Sequence, residues 1–560
     1  MTLSRRWLVL LALALAFGFL GTRGLYDPDE GRYTNVALTM LESGDWINPQ
    51  RNEDTGHWTK PPMTYWAVAA SLGTFGNNAW AARLPSALAF LLCTWLCWRS
   101  ARRLAPGAQD VAALAYMTLL MPTVAAQLVT TDFLLSAFQA VAFYAFVEWR
   151  FGDAGDPARR WLALMWIAFG LAFLTKGPPA LLPLLVLTVF TPLAPSTRPQ
   201  EWVHVTWGLL VFVAIASPWF IEVTAGHPGL MGYFLGRELV DRVATDHFAR
   251  HGEWYGWAEV YVPTLLVGTL PWTLRLLRWA RGLMPAARRW RDRAARLAEA
   301  PDLLLALWVL VPLLIFCLAR SRLPLYLLPL FMPFALVIAR QVATGAAPRP
   351  RWHWLLAWAA LLLALRLGAA FVPDDKDASA WAREIRERVD GPITEVVFVE
   401  DMPRYGLHLY LDAEVEALSL AEIATFSYDP EFDESLEVEL AELQVEHGVV
   451  FVTKTRTWPA VEQQVRARGL VPVAKGAPRG VRHGVGKGGG HGRHRIRALG
   501  STTKITRLWN GSPFTTGTSP RARTRCSTAG QVRVLVTNTT PCSTCSSASS
   551  TSSDSSNSGS

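Results

Sequence analysis

Arg5-Arg-Trp-Leu-Val-Leu-Leu-Ala-Leu-Ala-Leu-Ala-Phe-Gly-Phe-Leu20 opens the chain with two cations followed by an apolar run. Gly21-Thr-Arg-Gly24 follows and makes a poor small-residue cleavage site, so the run reads as an uncleaved first membrane span with the amino terminus in the cytoplasm. Apolar runs of membrane-span length recur through the first two-thirds of the 560 residues, and 51% of the chain is hydrophobic against 18% charged. Hydropathy predicts about eleven spans, centred near Leu13, Leu91, Leu119, Phe143, Ala168, Leu185, Phe212, Leu266, Leu310, Leu330 and Leu361. The 25 Trp fit two interfacial aromatic belts.

Threading these spans from a cytoplasmic start puts Arg99, Arg102 and Arg103, then Arg150, Arg159 and Arg160, then the run Arg275 to Arg296, then Arg340, Arg349 and Arg351 on the inside. That bias satisfies the positive-inside rule in most loops. The outside segments are about 26–83, about 222–257, and a stretch after the last span. The domains expected are therefore a multi-span unit over 1–373, a small α/β domain over 374–477, and a low-complexity, disordered tail over 478–560. Strand-like runs at 394–400 and 448–453, alternating with helical stretches, suggest the α/β domain. The tail holds 12 Lys and Arg against one acidic residue. It thus carries +11 of a formal +9, leaving −2 for the rest, so the basic balance is no sign of nucleic-acid binding. Cys93, Cys97 and Cys317 lie in apolar runs and read as core residues. Cys542-Ser-Thr-Cys545 lacks a second pair or a βαβ setting for metal or redox work.

Ionisable residues beside the spans collect on the outside face: Asp29, Glu30, Arg32, Lys60, Asp132 and Lys176. Charge is costly at a membrane, and the positive-inside rule depletes Lys and Arg from this side, so their gathering there needs a reason. Tyr26-Asp-Pro-Asp-Glu-Gly-Arg-Tyr33 places Asp29, Glu30 and Arg32 in the first turn of a short surface helix, where helix capping and dipole pairing are the simpler reading. Trp58-Thr-Lys-Pro-Pro-Met-Thr-Tyr-Trp66 fixes Lys60 before a proline pair, as a point-charge phosphate ligand or a snorkelling anchor. Thr130-Thr-Asp-Phe133 sets Asp132 at the outer end of a span, and Thr175-Lys-Gly-Pro-Pro179 sets Lys176 on the same side. Ala319-Arg-Ser-Arg-Leu-Pro-Leu-Tyr326 adds Arg320, Arg322 and Tyr326. A carboxylate can take a proton from an acceptor hydroxyl, and cations can stabilise a departing phosphate. A sugar on a lipid phosphate needs both. The sequence has no Walker loop, Rossmann fingerprint or HExxH, which argues against nucleotide-sugar donors and an ATP-driven pump.

These motifs resemble, in order, those of the bacterial aminoarabinose (4-amino-4-deoxy-L-arabinose) transferases, which group with the protein O-mannosyltransferases in the GT-C fold. The matching stretches are Asp29-Glu-Gly-Arg-Tyr33, Ser43-Gly-Asp-Trp46, Thr59-Lys-Pro-Pro-Met-Thr-Tyr-Trp66, Ala82-Arg-Leu-Pro-Ser86, Thr131-Asp132, Gly170 to Pro178, Leu270-Pro-Trp272 and Leu323 to Pro329. The resemblance covers about Leu8 to Lys475. It implies a polytopic α-helical enzyme of the inner membrane, with its active site toward the periplasm. It also implies inverting transfer of a sugar from a polyprenyl-phosphate donor to lipid A, polysaccharide or protein.

By the same resemblance Asp29 is the base or acceptor-positioning group and Asp132 the second acid. Arg32 and Lys60 lie around the lipid phosphate, Tyr326 lies near that cavity, and Glu30, Lys176 and Arg322 join the substrate-binding set. The transfer would be metal-independent or weakly metal-linked. Thr59 stands where Glu is common before Lys-Pro-Pro, and Leu239 stands where a polar residue is usual. Both departures bear on any divalent metal and on donor and acceptor choice. A transporter or flippase, which expects mid-bilayer charges and inverted repeats, and a non-catalytic scaffold are the alternative readings.

Overall fold

The computed structural model describes residues 4–153, 158–195, 202–241, 251–389, 391–423, 426–442, 448–475 and 531–537. The first ten α-helices are α1 (Arg5–Phe17), α2 (Asp29–Ser43), α3 (Met63–Phe75), α4 (Ala79–Leu104), α5 (Gln109–Thr118), α6 (Leu120–Ala125), α7 (Thr131–Phe151), α8 (Ala158–Lys176), α9 (Leu182–Leu193) and α10 (Trp202–Gly226). Further apolar helices follow at Gly256–Gly268, Ala300–Leu318, Phe331–Ala343 and Trp352–Ala369. Every expected span centre falls in a helical segment except Leu119, which sits in the extended break between α5 and α6.

Among the described residues, five helical stretches are long and apolar enough to cross a membrane, or six if the pair Gly256–Gly268 and Thr273–Arg289, bent by 119°, counts as one. Hydropathy averaged along the chain joins short helices that the backbone separates. It cannot see that α5 and α6 are two pieces, or that α1 has only 13 residues. The polytopic reading holds; the figure of eleven is not matched by length and composition.

The largest core runs through α1, α4, α5, α7, α8 and Phe331–Ala343, with Phe90, Phe133, Phe143, Phe169 and Phe331 at its centre. Ring pairs such as Phe143–Trp308, 4.1 Å between centroids at 81°, interlock the helices. Between lipid-facing helices there is little hydrophobic driving force, so such packing carries the association.

α7 and α8, with 21 and 19 residues, pack as consecutive antiparallel neighbours. Their near-equal lengths bring the start of α7 level with the end of α8. Gly177, at φ +69, lets the chain leave α8 in a conformation that a side chain would strain, and Pro178 then prevents the helix from continuing.

Beyond the last apolar helix comes a parallel sheet: β1 (Glu395–Val399), β2 (Glu414–Ser419), β3 (Glu434–Ser435), β4 (Val449–Lys454), β5 (Val471–Lys475) and β6 (Gln531–Thr537), in the order β3-β2-β1-β4-β6-β5. Val396 and Phe398 pack on one face, with Trp381 and Ile385 of a helix at Ala378–Arg388. Val397 and Val399 pack on the other, with Val461 and Val465. Near-continuous apolar strands covered on both faces are what a parallel sheet requires. The strand-like runs at 394–400 and 448–453 are β1 and β4.

β6 departs from the expected structureless tail. Gln-Val-Arg-Val-Leu-Val-Thr pairs in parallel with both β4 and β5. A tail-wide composition of Gly, Ser and Arg hid seven residues with β-forming character. The rest of the 478–560 segment lies outside the described residues.

Candidate functional site

The outer α/β domain seats directly on the loop and helix that carry the first motif. Asp27 N–H donates to the Lys376 carbonyl (2.9 Å), and Ala378 N–H to the Leu25 carbonyl (2.9 Å). Leu25 N–H donates to the Tyr410 hydroxyl (3.0 Å), and Gly406 N–H to Asp27 Oδ1 (3.0 Å). His408, buried, joins Asn35 Oδ1 through Nδ1 (2.8 Å) and Glu42 through Nε2 (3.1 Å). Arg51 pairs with Asp433 at 2.9 Å. α2 is thus held from above by the outer domain and from below by the helices.

Asp27, two residues before the expected base, is only 2% exposed. Burial pushes its carboxyl up to about 7, against the lowering effect of the Gly406 N–H and Arg404.

Glu30 is the anchor of the first turn. It accepts from Arg83 Nε (2.8 Å) and Nη2 (3.0 Å), pairs with Arg23 (2.8 Å), and accepts the N–H groups of Tyr26 (3.0 Å) and Val129 (3.2 Å). Burial alone would raise its pKa. Arg83 and Arg23 overrule it and hold the carboxyl at about 2. The carboxylate ties the start of α2 to α4 and to the segment leading into α7. Both of its oxygens are engaged by protein, and we infer an anchoring role for it rather than the substrate contact that the resemblance implied.

Asp29, on the same turn, is the opposite case. Its side chain is 65% exposed and paired with Arg32 at 3.0 Å. Next to it stands Tyr33, whose hydroxyl burial lifts well above the ordinary range. Asp29 adds to the rise, Arg32 opposes it, and Asp132 and Tyr326 contribute, so these groups surround one point.

Asp132 and Lys176 form an ion pair, both largely buried. The helices prepare this pair: Asp132 lies in the first turn of α7 and Lys176 in the last turn of α8, the termini where dipoles favour an anion and a cation respectively. The Lys176 ammonium also lies 4.5 Å from the centroid of the Tyr326 ring. Lys60, half-buried, meets Glu238 at 3.2 Å. Beside it His57 Nε2 bonds Thr59 Oγ1 at 2.9 Å. Burial, reinforced by Arg32, Arg51 and Lys60, keeps the His57 ring neutral. Tyr65 joins the two halves, its ring 5.9 Å from both Tyr33 and His57.

Asp29, Arg32, Lys60, Asp132, Lys176 and Tyr326 are therefore gathered around Tyr33 and Tyr65. Arg322 is not among them. It is 3% exposed and donates to the carbonyls of His251, Glu253 (2.8 Å) and Cys317 (3.2 Å). Motif order alone could not show that its two terminal nitrogens are taken up by backbone.

His57 and Tyr65 are contributors that sequence reasoning passed over. Glu238 opens the stretch Glu238-Leu-Val-Asp-Arg242, which only partly resembles the transferases' pattern; it sits in the short π-helical segment Phe234–Asp241, 178 residues from Lys60. The available signal was the missing carboxylate at Thr59, which left Lys60 in need of a partner from elsewhere. Arg242 of that motif lies outside the described residues.

The donor set does not suit a divalent metal at this point. Among the described residues, the group of carboxylates close enough to share an ion is Glu395, Glu416 and Glu439, in the outer domain. Asp29 and Asp132 are each matched to a cation, and Thr59 supplies a hydroxyl where a carboxylate would be needed.

The fold defines a class: a polytopic membrane protein of the GT-C type. Over 82% of this chain and 94% of the other, it superposes on the crystal structure of apo ArnT from Cupriavidus metallidurans with a TM-score of 0.61 at 22% identity. The undecaprenyl-phosphate-bound form of the same protein gives a TM-score of 0.58 at 24% identity, over 75% of this chain and 87% of that one.

In sequence, residues 59–221 match the dolichyl-phosphate-mannose-protein mannosyltransferase family. An undecaprenyl phosphate-alpha-4-amino-4-deoxy-L-arabinose arabinosyl transferase from Pseudomonas aeruginosa strain UCBPP-PA14 is 32% identical, over 65% of each chain. A second, from Pseudomonas fluorescens strain Pf0-1, is 31% identical over 61% of this chain and 60% of its own. The resemblance read from the motifs holds: the chain is similar in sequence to these arabinosyl transferases and shares the ArnT fold. The chain spans about 60 to 65% of the length of these relatives.

Proposed function

We propose that the protein transfers a sugar from a polyprenyl-phosphate donor to an acceptor hydroxyl at the periplasmic face of the inner membrane, with inversion at the anomeric carbon. The observation that carries this reading is the grouping of an exposed carboxylate, Asp29, with the cations Arg32, Lys60 and Lys176 around Tyr33 and Tyr65. The acceptor oxygen attacks the anomeric carbon as Asp29 takes its proton. The carbon–oxygen bond to phosphate breaks, and the electron pair leaves with the lipid phosphate. That group departs as an anion and needs positive charge rather than a proton, which Arg32 and Lys60 supply. Asp132 holds Lys176 in place beside Tyr326. The similarity to aminoarabinosyl transferases supports an amino-pentose donor and a lipid A acceptor. The departures at Thr59 and Leu239 mark where another sugar or acceptor would be selected.

The test is transfer by purified protein in lipid, from a panel of labelled polyprenyl-phosphate sugars to lipid A, polysaccharide and protein acceptors. Asp29→Asn runs beside wild type. Removing a base lowers the rate by about 10²- to 10⁴-fold, and the exposed position leaves folding intact. Undiminished transfer by the variant would reject Asp29 as base. Ionisable groups at one face, rather than at mid-bilayer, weigh against a flippase.

A further inference from the structure

A second basic site lies apart from the cations around Tyr33. Gly252, Glu253 and Trp254 face Cys317, Leu318, Arg320 and Arg322 across a cavity of about 650 Å³. Arg322 is almost wholly buried, and its hydrogen-bond partners among the described residues are neutral carbonyls. Its Nε is buried without a hydrogen-bond partner. Among the described residues no carboxylate pairs with it. A buried guanidinium bearing a full charge and lacking an anion is expensive to maintain, so the cavity it lines is built to receive one.

The backbone makes room for this arginine. A Cβ at Gly256 would stand 2.9 Å from Arg322 Nη1 and 2.2 Å from the His251 carbonyl oxygen. Arg320 adds a second, exposed positive charge, and Glu253 one negative charge on the exposed rim.

The surroundings set the depth. Leu318, 73% exposed, ends an apolar helix of membrane-span length, and Trp254 is 83% exposed beside it. An exposed Trp against an exposed helix end is the signature of the headgroup layer. One ring links the two regions: Phe316, next in sequence to Cys317, has its ring 6.4 Å from that of Tyr326, over which Lys176 lies.

We propose that this cavity seats the phosphate of a membrane lipid headgroup, and that it holds a phosphate-bearing acceptor lipid beside the transfer centre. The second clause rests on the glycosyltransfer reading; the binding does not. Arginine in a partly dehydrated setting is suited to phosphate, and a lipid phosphate delivers its charge at this depth.

The experiment measures binding to the full-length protein in neutral detergent by native mass spectrometry and calorimetry. The probes are dihexanoyl phosphatidic acid, dihexanoylglycerol and inorganic phosphate, with wild type, Arg320→Gln, Trp254→Ala and Lys60→Met. Phosphatidic acid should bind wild type. Arg320→Gln should weaken it by about tenfold, the loss of one charge-assisted contact, and a phosphatidic acid molecule should still bind Lys60→Met. Dihexanoylglycerol and inorganic phosphate should each bind at least about tenfold more weakly. Equal binding of inorganic phosphate would overturn the lipid assignment. Loss of binding in Lys60→Met would place the lipid phosphate at the donor cations instead. No binding, or no effect of Arg320→Gln, would dismiss the site. Because binding is read without turnover, an inactive but lipid-binding protein would reject the glycosyltransfer reading and leave this site standing.

Discussion

Replacing Glu30 by Gln separates an anchoring role from a substrate-binding one. The carboxylate neutralises Arg83, whose side chain is 1% exposed, and Arg23, at 14%. The amide keeps the shape but strips the charge and leaves two guanidinium groups facing one neutral oxygen. Breaking one side of a buried, hydrogen-bonded ion pair costs about 3–5 kcal/mol. Proton linkage gives the same scale: lowering the carboxyl from 4.5 to about 2 corresponds to about 3 kcal/mol. Because the folded pKa is depressed, that stabilisation is present above the unfolded value near 4.5 and is lost as pH falls toward 2.

The assay is unfolding of the detergent-solubilised protein followed by tryptophan fluorescence, across pH 3 to 8, beside the transfer rate per folded molecule. Glu30→Gln should be markedly less stable at neutral pH, and its unfolding should converge on that of wild type as acid is added. Below its own unfolding temperature it should retain most of its activity. An unchanged unfolding temperature with a collapsed rate would refute the reasoning and return Glu30 to the substrate-facing set.

Lys60→Met should raise the KM for the polyprenyl-phosphate donor by about tenfold or more, one charge-assisted phosphate contact being lost; steady-state kinetics against donor concentration reads this directly. Asp27 has its pKa raised, so its contribution is greatest below about 4 and is lost as pH rises through about 7. Asp27→Asn should therefore flatten the pH dependence of stability between those values, as followed by thermal unfolding. Glu416, pushed up to about 9 chiefly by burial and then by Glu395, follows the same sign. Glu416→Gln should change stability little near pH 4 and stabilise the outer domain progressively more from pH 6 to pH 9, measured by protection of its amides from exchange. Deleting residues 526–560 removes β6 from between β4 and β5. Limited proteolysis should then cut near residue 470 faster than in the full chain, and unchanged protection would show that β6 does not complete the sheet.

The membrane class was legible in the chain because hydropathy acts locally and needs no partner. So were β1 and β4, and the ion-pairing residues Asp29, Arg32, Lys60, Asp132 and Lys176 as candidates. Only the tertiary structure decided what each of these does. Asp29 and Glu30 are adjacent carboxylates on one turn, yet one is 65% exposed and the other is sealed between Arg83 and Arg23. The residues that seal it come from α4 and the chain before α2, which no spacing within the motif can convey. Glu238 reaches Lys60 across 178 positions, and His408 reaches α2 from a separate domain. Apolar periodicity is written residue by residue, whereas the burial of a charge and the identity of its counter-ion depend on segments far apart in sequence.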